Sequence, residues 1–91
     1  MKKINEESIN NLTPNEAIVL QQIYEDGEDD VRTLAQMLGM SVKSVVAIVA
    51  HLKKRGLVAI SSDLGDLWIE VSAKGRRLIK KLWPEFQNVS F

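Results

Sequence analysis

Two groups of side chains in this 91-residue chain are of types and spacing that could do chemistry. The first is Ser41, Val42, Lys43 and Ser44, followed by Val46, Ala47, Ala50, His51, Lys53, Lys54 and Arg55. Hydroxyl, ammonium and guanidinium groups along one segment offer hydrogen bonds and charge to an anionic surface, phosphate above all. His51 is the only histidine. A metal or acid–base site would need carboxylates at ligand spacing beside it, and none stands there, so it reads as a surface histidine. The second group is the acidic run Glu25, Asp26, Glu28, Asp29 and Asp30. Its glycine and glutamates are not at calcium-loop positions, so a solvated turn is expected. There is no glycine-rich phosphate loop and no supported Ser-His-Asp order. No enzyme, cofactor or metal is therefore expected.

Composition narrows the setting. With no cysteine, disulfide frameworks, thiolate metal sites and a cysteine nucleophile are excluded, which fits a reducing compartment. No apolar run approaches the ~20 residues that span a bilayer. The opening Met1-Lys2-Lys3-Ile4-Asn5 has no apolar stretch behind its lysines, so it does not read as a signal peptide. The expectation is a cytoplasmic protein without membrane contact. Twelve basic and twelve acidic residues cancel, whereas nucleic-acid binders usually carry a basic excess. The charges are nonetheless segregated. Residues 1–40 hold three basic and eight acidic residues, a balance of −5, and residues 41–91 hold nine and four, a balance of +5.

The elements that must position these groups can be read from periodicity and caps. Thr13-Pro14-Asn15-Glu16 is a capping box with proline in the first helical turn. Ala17, Val19, Leu20, Ile23 and Tyr24 follow at helical spacing, and Gly27 closes that helix. Asp30 caps a second helix with Val31, Leu34, Ala35 and Leu38 on one face, closed by Gly39. After a turn of about two residues Ser41 caps a third helix, about 42–55, with Val45, Ile48, Val49 and Leu52 as its buried stripe and Gly56 at its end. The period then shortens. Residues 57–62 and 67–71 read as strands joined by the turn Asp63-Leu64-Gly65-Asp66. Trp68 is expected to pack on the core. Ser72 caps a last helix carrying Leu78, Ile79 and Leu82, ended by Pro84. The fold class is mainly α with a small antiparallel β-hairpin, a winged helix-turn-helix over residues 12–83. Residues 1–11 are expected as a tail or short helix and 84–91 as a tail.

This order resembles the MarR family of transcription regulators. The resemblance rests on Leu12-Thr13-Pro14-Asn15-Glu16-Ala17, on Thr33-Leu34-Ala35-Gln36-Met37-Leu38-Gly39-Met40-Ser41, on Leu52-Lys53-Lys54-Arg55-Gly56-Leu57-Val58, and on Val71-Ser72-Ala73-Lys74-Gly75-Arg76-Arg77-Leu78. It implies that the third helix enters the DNA major groove and that the hairpin lies along the backbone as a wing. Three features depart from the family pattern. Family wings usually carry a basic residue at the tip, where Asp63-Leu64-Gly65-Asp66 offers only acids. An arginine or polar residue is common near the position of Ala47. Family members add long dimerisation helices at both ends, for which this sequence leaves little room.

The third helix sets the limits of base reading. Arg, Asn and Gln make the strongest base-edge contacts, and its outward face has none of them. It offers Ser41, Lys43, Ser44 and His51 with the methyl-rich Val46, Ala47 and Ala50, which suit a thymine methyl or a protein surface. Lys53, Lys54 and Arg55 could meet phosphates or complement the helix dipole. Two functions stand side by side: a DNA-binding transcriptional regulator acting on double-stranded DNA, alone or as a homodimer, and a winged-helix module that binds a protein partner.

Overall fold

The computed structural model describes residues 12–84. The expected segment 1–11, and all of the expected tail 84–91 except Pro84, lie outside the described residues. Helix α1 (Pro14–Asp26) starts where the sequence predicts: Thr13 Oγ1 accepts the Glu16 amide and Glu16 Oε1 accepts the Thr13 amide, both at 3.1 Å. Helix α2 (Val31–Leu38) is capped by Asp30, whose Oδ1 accepts the Thr33 amide at 2.8 Å. Gly39 ends it in the left-handed region, at φ 67°. Helix α3 (Val42–Lys54) follows from the Ser41 cap, bent by 115° from α2, the crossing of a helix-turn-helix.

Strands β1 (Val58–Asp63) and β2 (Asp66–Val71) pair antiparallel, from Val58 opposite Val71 to Asp63 opposite Asp66. The turn is therefore two residues, Leu64-Gly65, shorter than the four expected. Both have positive φ, 53° and 89°, which is the backbone twist a two-residue hairpin turn demands. Alternation puts Val58, Ile60, Leu67, Ile69 and Val71 on one face and Ala59, Ser61, Trp68 and Glu70 on the other. Trp68 thus departs from its expected place on the core. It is half-buried beside the start of α2, because it falls out of phase with Ile69.

Helix α4 (Ala73–Leu82) is capped by Ser72 Oγ, which accepts the Gly75 amide at 3.0 Å. One core joins all elements: Val19, Leu20 and Ile23 of α1, Leu34 and Ala35 of α2, Val45, Val49 and Leu52 of α3, Val58 of β1 with Leu57 before it, Ile69 and Val71 of β2, and Ile79 of α4. The hairpin alone would be marginal, and it is held by this burial. A single-residue bridge adds to its edge. Asp29 and Ile69 exchange both backbone hydrogen bonds, at 2.9 and 2.8 Å. The acidic run is consequently not wholly a solvated turn, since Asp29 is buried.

Candidate nucleic-acid interface

The start of α3 and the hairpin tip share one end of the molecule. A shallow cleft there is lined by Val42 and Val46 of α3, Asp66, Leu67 and Trp68 of the hairpin, and Asp30, Val31, Arg32 and Thr33 at the start of α2. The base of the hairpin, the Val58–Val71 pair, lies five residue steps from the tip, roughly 17 Å away at about 3.3 Å per residue. Thirteen residues of α3 likewise span about 20 Å. Lys54 and Arg55 therefore sit at the end opposite Ser41 and Lys43.

Ser41, Val42, Lys43, Ser44, Val46, Ala47, Ala50, His51, Lys53 and Lys54 are exposed, and Arg55 is half-buried. Lys43, Ala47, Ala50 and Lys54 fall opposite the buried stripe of α3. Between α3 and the hairpin runs an apolar groove of about 440 Å³, lined by Val31, Val46, Val49, Ala50, Ile60, Leu67 and Ile69, with Lys53 and Lys54 at its rim. Val42, Val46 and Leu67 are 47%, 50% and 52% exposed, a large apolar share for the outer face of a small domain. The formal charges around the tip are Lys43 and Arg32 against Asp30, Asp63 and Asp66.

His51 is not a free surface histidine. Its Nδ1 meets Glu16 Oε2, so the carboxylate that caps α1 also ties α1 to the last turn of α3. Burial alone pushes the Glu16 carboxyl up. The hydrogen bonds from His51 and the Thr13 amide, with the charges of His51 and Arg55, outweigh burial and hold it below its ordinary value. Sequence reasoning found Glu16 as a cap but not as an anchor, because its partner lies 35 residues away.

Asp29, expected only as part of a solvated turn, is buried. Burial, then the hydrogen bond to Asp26 and the charges of Asp26 and Asp30, push its carboxyl up to about 7. Its Oδ2 has no hydrogen-bond partner. Asp26 is held below its ordinary value by its hydrogen bonds with Asp29 and with Gln22, whose Nε2 donates to it at 3.0 Å. Among the described residues no three histidine or carboxylate side chains are grouped to hold a metal. No helix among them is long and apolar enough to cross a membrane.

A three-helix unit with a 115° helix-turn-helix, followed by a hairpin whose tip flanks the second helix of that motif, defines a winged helix-turn-helix domain of the transcription-regulator class. The chain belongs to the MarR family, whose model matches residues 10–66. Solved structures share the fold, among them the following three. A probable transcriptional regulator from Pseudomonas aeruginosa is 28% identical, with a TM-score of 0.76 over 86% of this chain and 61% of its own. A MarR family protein from Bacillus stearothermophilus is 26% identical, with a TM-score of 0.76 over 94% and 63%. A transcriptional regulator from Thermotoga maritima is 24% identical, with a TM-score of 0.77 over 92% and 61%. The chain thus spans about three-fifths of these relatives' length. No curated protein matches the sequence.

Proposed function

We propose that this domain binds duplex DNA as part of a transcriptional regulator, with the N-terminal half of α3 in the major groove. The observation that carries the reading is the shared end of the molecule, where an exposed helix start and a hairpin tip stand side by side, the docking arrangement of a winged helix. Ser41, Lys43 and Ser44 supply polar contacts, and Val46, Ala47 and Ala50 supply methyl contacts to thymine. The Glu16–His51 contact fixes the rotation of α3, and Lys53 reaches a flanking phosphate. Discrimination among bases is modest, because no Arg, Asn or Gln faces outward from α3. Two copies would bind the halves of a palindrome.

Lys43→Ala should weaken binding to every duplex about equally and make the slope of log affinity on log salt shallower by about 0.9, one phosphate contact. Fluorescence anisotropy across a salt series measures both. Unchanged affinity and slope would contradict the docking.

A second reading rests on the apolar groove beside Val46 and Leu67, which suits a protein segment better than a phosphate backbone. Ala50→Glu, which puts a charge into that groove, would then dissolve a protein complex, seen by sedimentation, and an unchanged complex would remove that support.

A further inference from the structure

A cluster of cations lies away from the end proposed to meet DNA. Lys54 and Arg55 at the end of α3 and Lys74, Arg77 and Lys81 of α4 line one groove of about 640 Å³, floored by Leu57 and Leu78. No carboxylate lines it, although Arg55 also acts on Glu16. The groove is built by a tight junction. Ser72 Oγ donates to the Gly56 carbonyl at 2.6 Å, the Ser72 amide donates to Leu57 O at 3.0 Å, and Lys74 Nζ donates to Arg55 O at 3.0 Å. Gly75 lets α4 approach this closely, because a Cβ there would lie 2.1 Å from the Leu57 carbonyl oxygen.

Local helix physics accounts for Lys54 and Arg55 at the end of α3 and for Lys81 in the last turn of α4, where cations complement the helix dipole, but not for Lys74 and Arg77. The first turn of a helix favours carboxylates, yet the start of α4 carries Lys74, Arg76 and Arg77 and no acid. Lys74 and Arg77 are three residues apart and Arg77 and Lys81 four, spacings at which like charges destabilise a helix. Lys74 and Arg77 stand against both the dipole and each other, in a groove of ligand size whose lining carries no acid, so an anion bound there would be stabilised by the whole cluster.

We propose that this groove is a binding site for a multiply phosphorylated small molecule, separate from the DNA-reading end. Lys54, Lys74, Arg77 and Lys81 take the phosphate oxygens, the arginine as a fork and the lysines as point charges. Leu57 and Leu78 take the apolar or ring portion. A monocarboxylate would leave most of the cluster uncompensated, which favours a ligand with several charges.

The test is an NMR titration of the labelled chain with sodium tripolyphosphate at physiological salt. Saturable shifts should concentrate at residues 54–57 and 74–81. The double variant Arg77→Ala/Lys81→Ala, which alters exposed side chains only, should weaken tripolyphosphate about tenfold, and Lys43→Ala should change it by less than about twofold. Equal weakening by Lys43→Ala, or no effect of the double variant, would show nonspecific attraction and overturn the site. A duplex DNA arm separates the two sources of phosphate. The double variant should bind duplex as the parent does, and a matching loss of duplex affinity would make the groove part of the nucleic-acid interface and end the proposal of a separate site.

Discussion

Glu16 and Asp29 are both buried acids, and their surroundings act in opposite senses. Glu16 is held in its charged form by His51, the Thr13 amide and Arg55, so its contribution is present above the ordinary carboxylate range and is lost as pH falls through its lowered value. Glu16→Gln keeps the capping geometry and removes the charge. It should cost about 1 kcal/mol at pH 7 and less at pH 3. Chemical denaturation at the two pH values measures it. Asp29 carries a raised value of about 7, so the folded state binds its proton more tightly than the unfolded chain does. Stability from this group is complete below about pH 4 and declines as pH rises toward 7. Asp29→Asn should therefore leave stability unchanged near pH 4 and raise it by roughly 1–2 kcal/mol at pH 8, read from thermal melts. Neither behaviour is legible in the sequence. Asp29 stands among four other acids, and only its single bridge to Ile69, 40 positions later, buries it.

Helices were the most legible elements, because their signals are local. Thr13, Asp30, Ser41 and Ser72 each cap the helix assigned to them, and Gly27 and Gly39 end theirs. The hairpin was legible in kind but not in detail. Its turn is tighter because Asp63 and Asp66 still pair across the strands, which forces Leu64 into positive φ and leaves it 96% exposed. Trp68 was misplaced because an aromatic residue between Leu67 and Ile69 carries no phase of its own, and pairing alone decides its face. The α3–α4 junction was also hidden, since only packing shows how close Gly75 lies to Leu57. Gly75→Ala must move a backbone carbonyl and Val71, whose Cγ1 would be 2.7 Å from the new Cβ. It should destabilise the domain by about 2–3 kcal/mol, measured by urea denaturation. A change of a few tenths would show that α4 can shift away at little cost.

Across the whole molecule charge is separated in space, but not along the line the sequence draws, since the acids of the hairpin tip and the cations of the groove both come from residues 41–91. The hairpin tip presents Asp63 and Asp66 where a family wing would meet the phosphate backbone with a cation, and the densest basic groove lies near the hairpin base. If the tip approaches DNA, Asp63→Lys should tighten duplex binding severalfold and steepen its salt dependence. The composition made such a binder look unfavourable at zero net charge, and the fold shows why net charge was a poor guide: what matters is which end carries each sign. The domain's place in a regulator rests on one claim, that the start of α3 is the surface that meets DNA. An NMR titration of the labelled domain with a generic duplex, first at low and then at physiological salt, tests it most directly. The account predicts salt-sensitive shifts concentrated in residues 41–50 and at the hairpin tip. Shifts confined to residues 54–57 and 74–81, or none even at low salt, would contradict it.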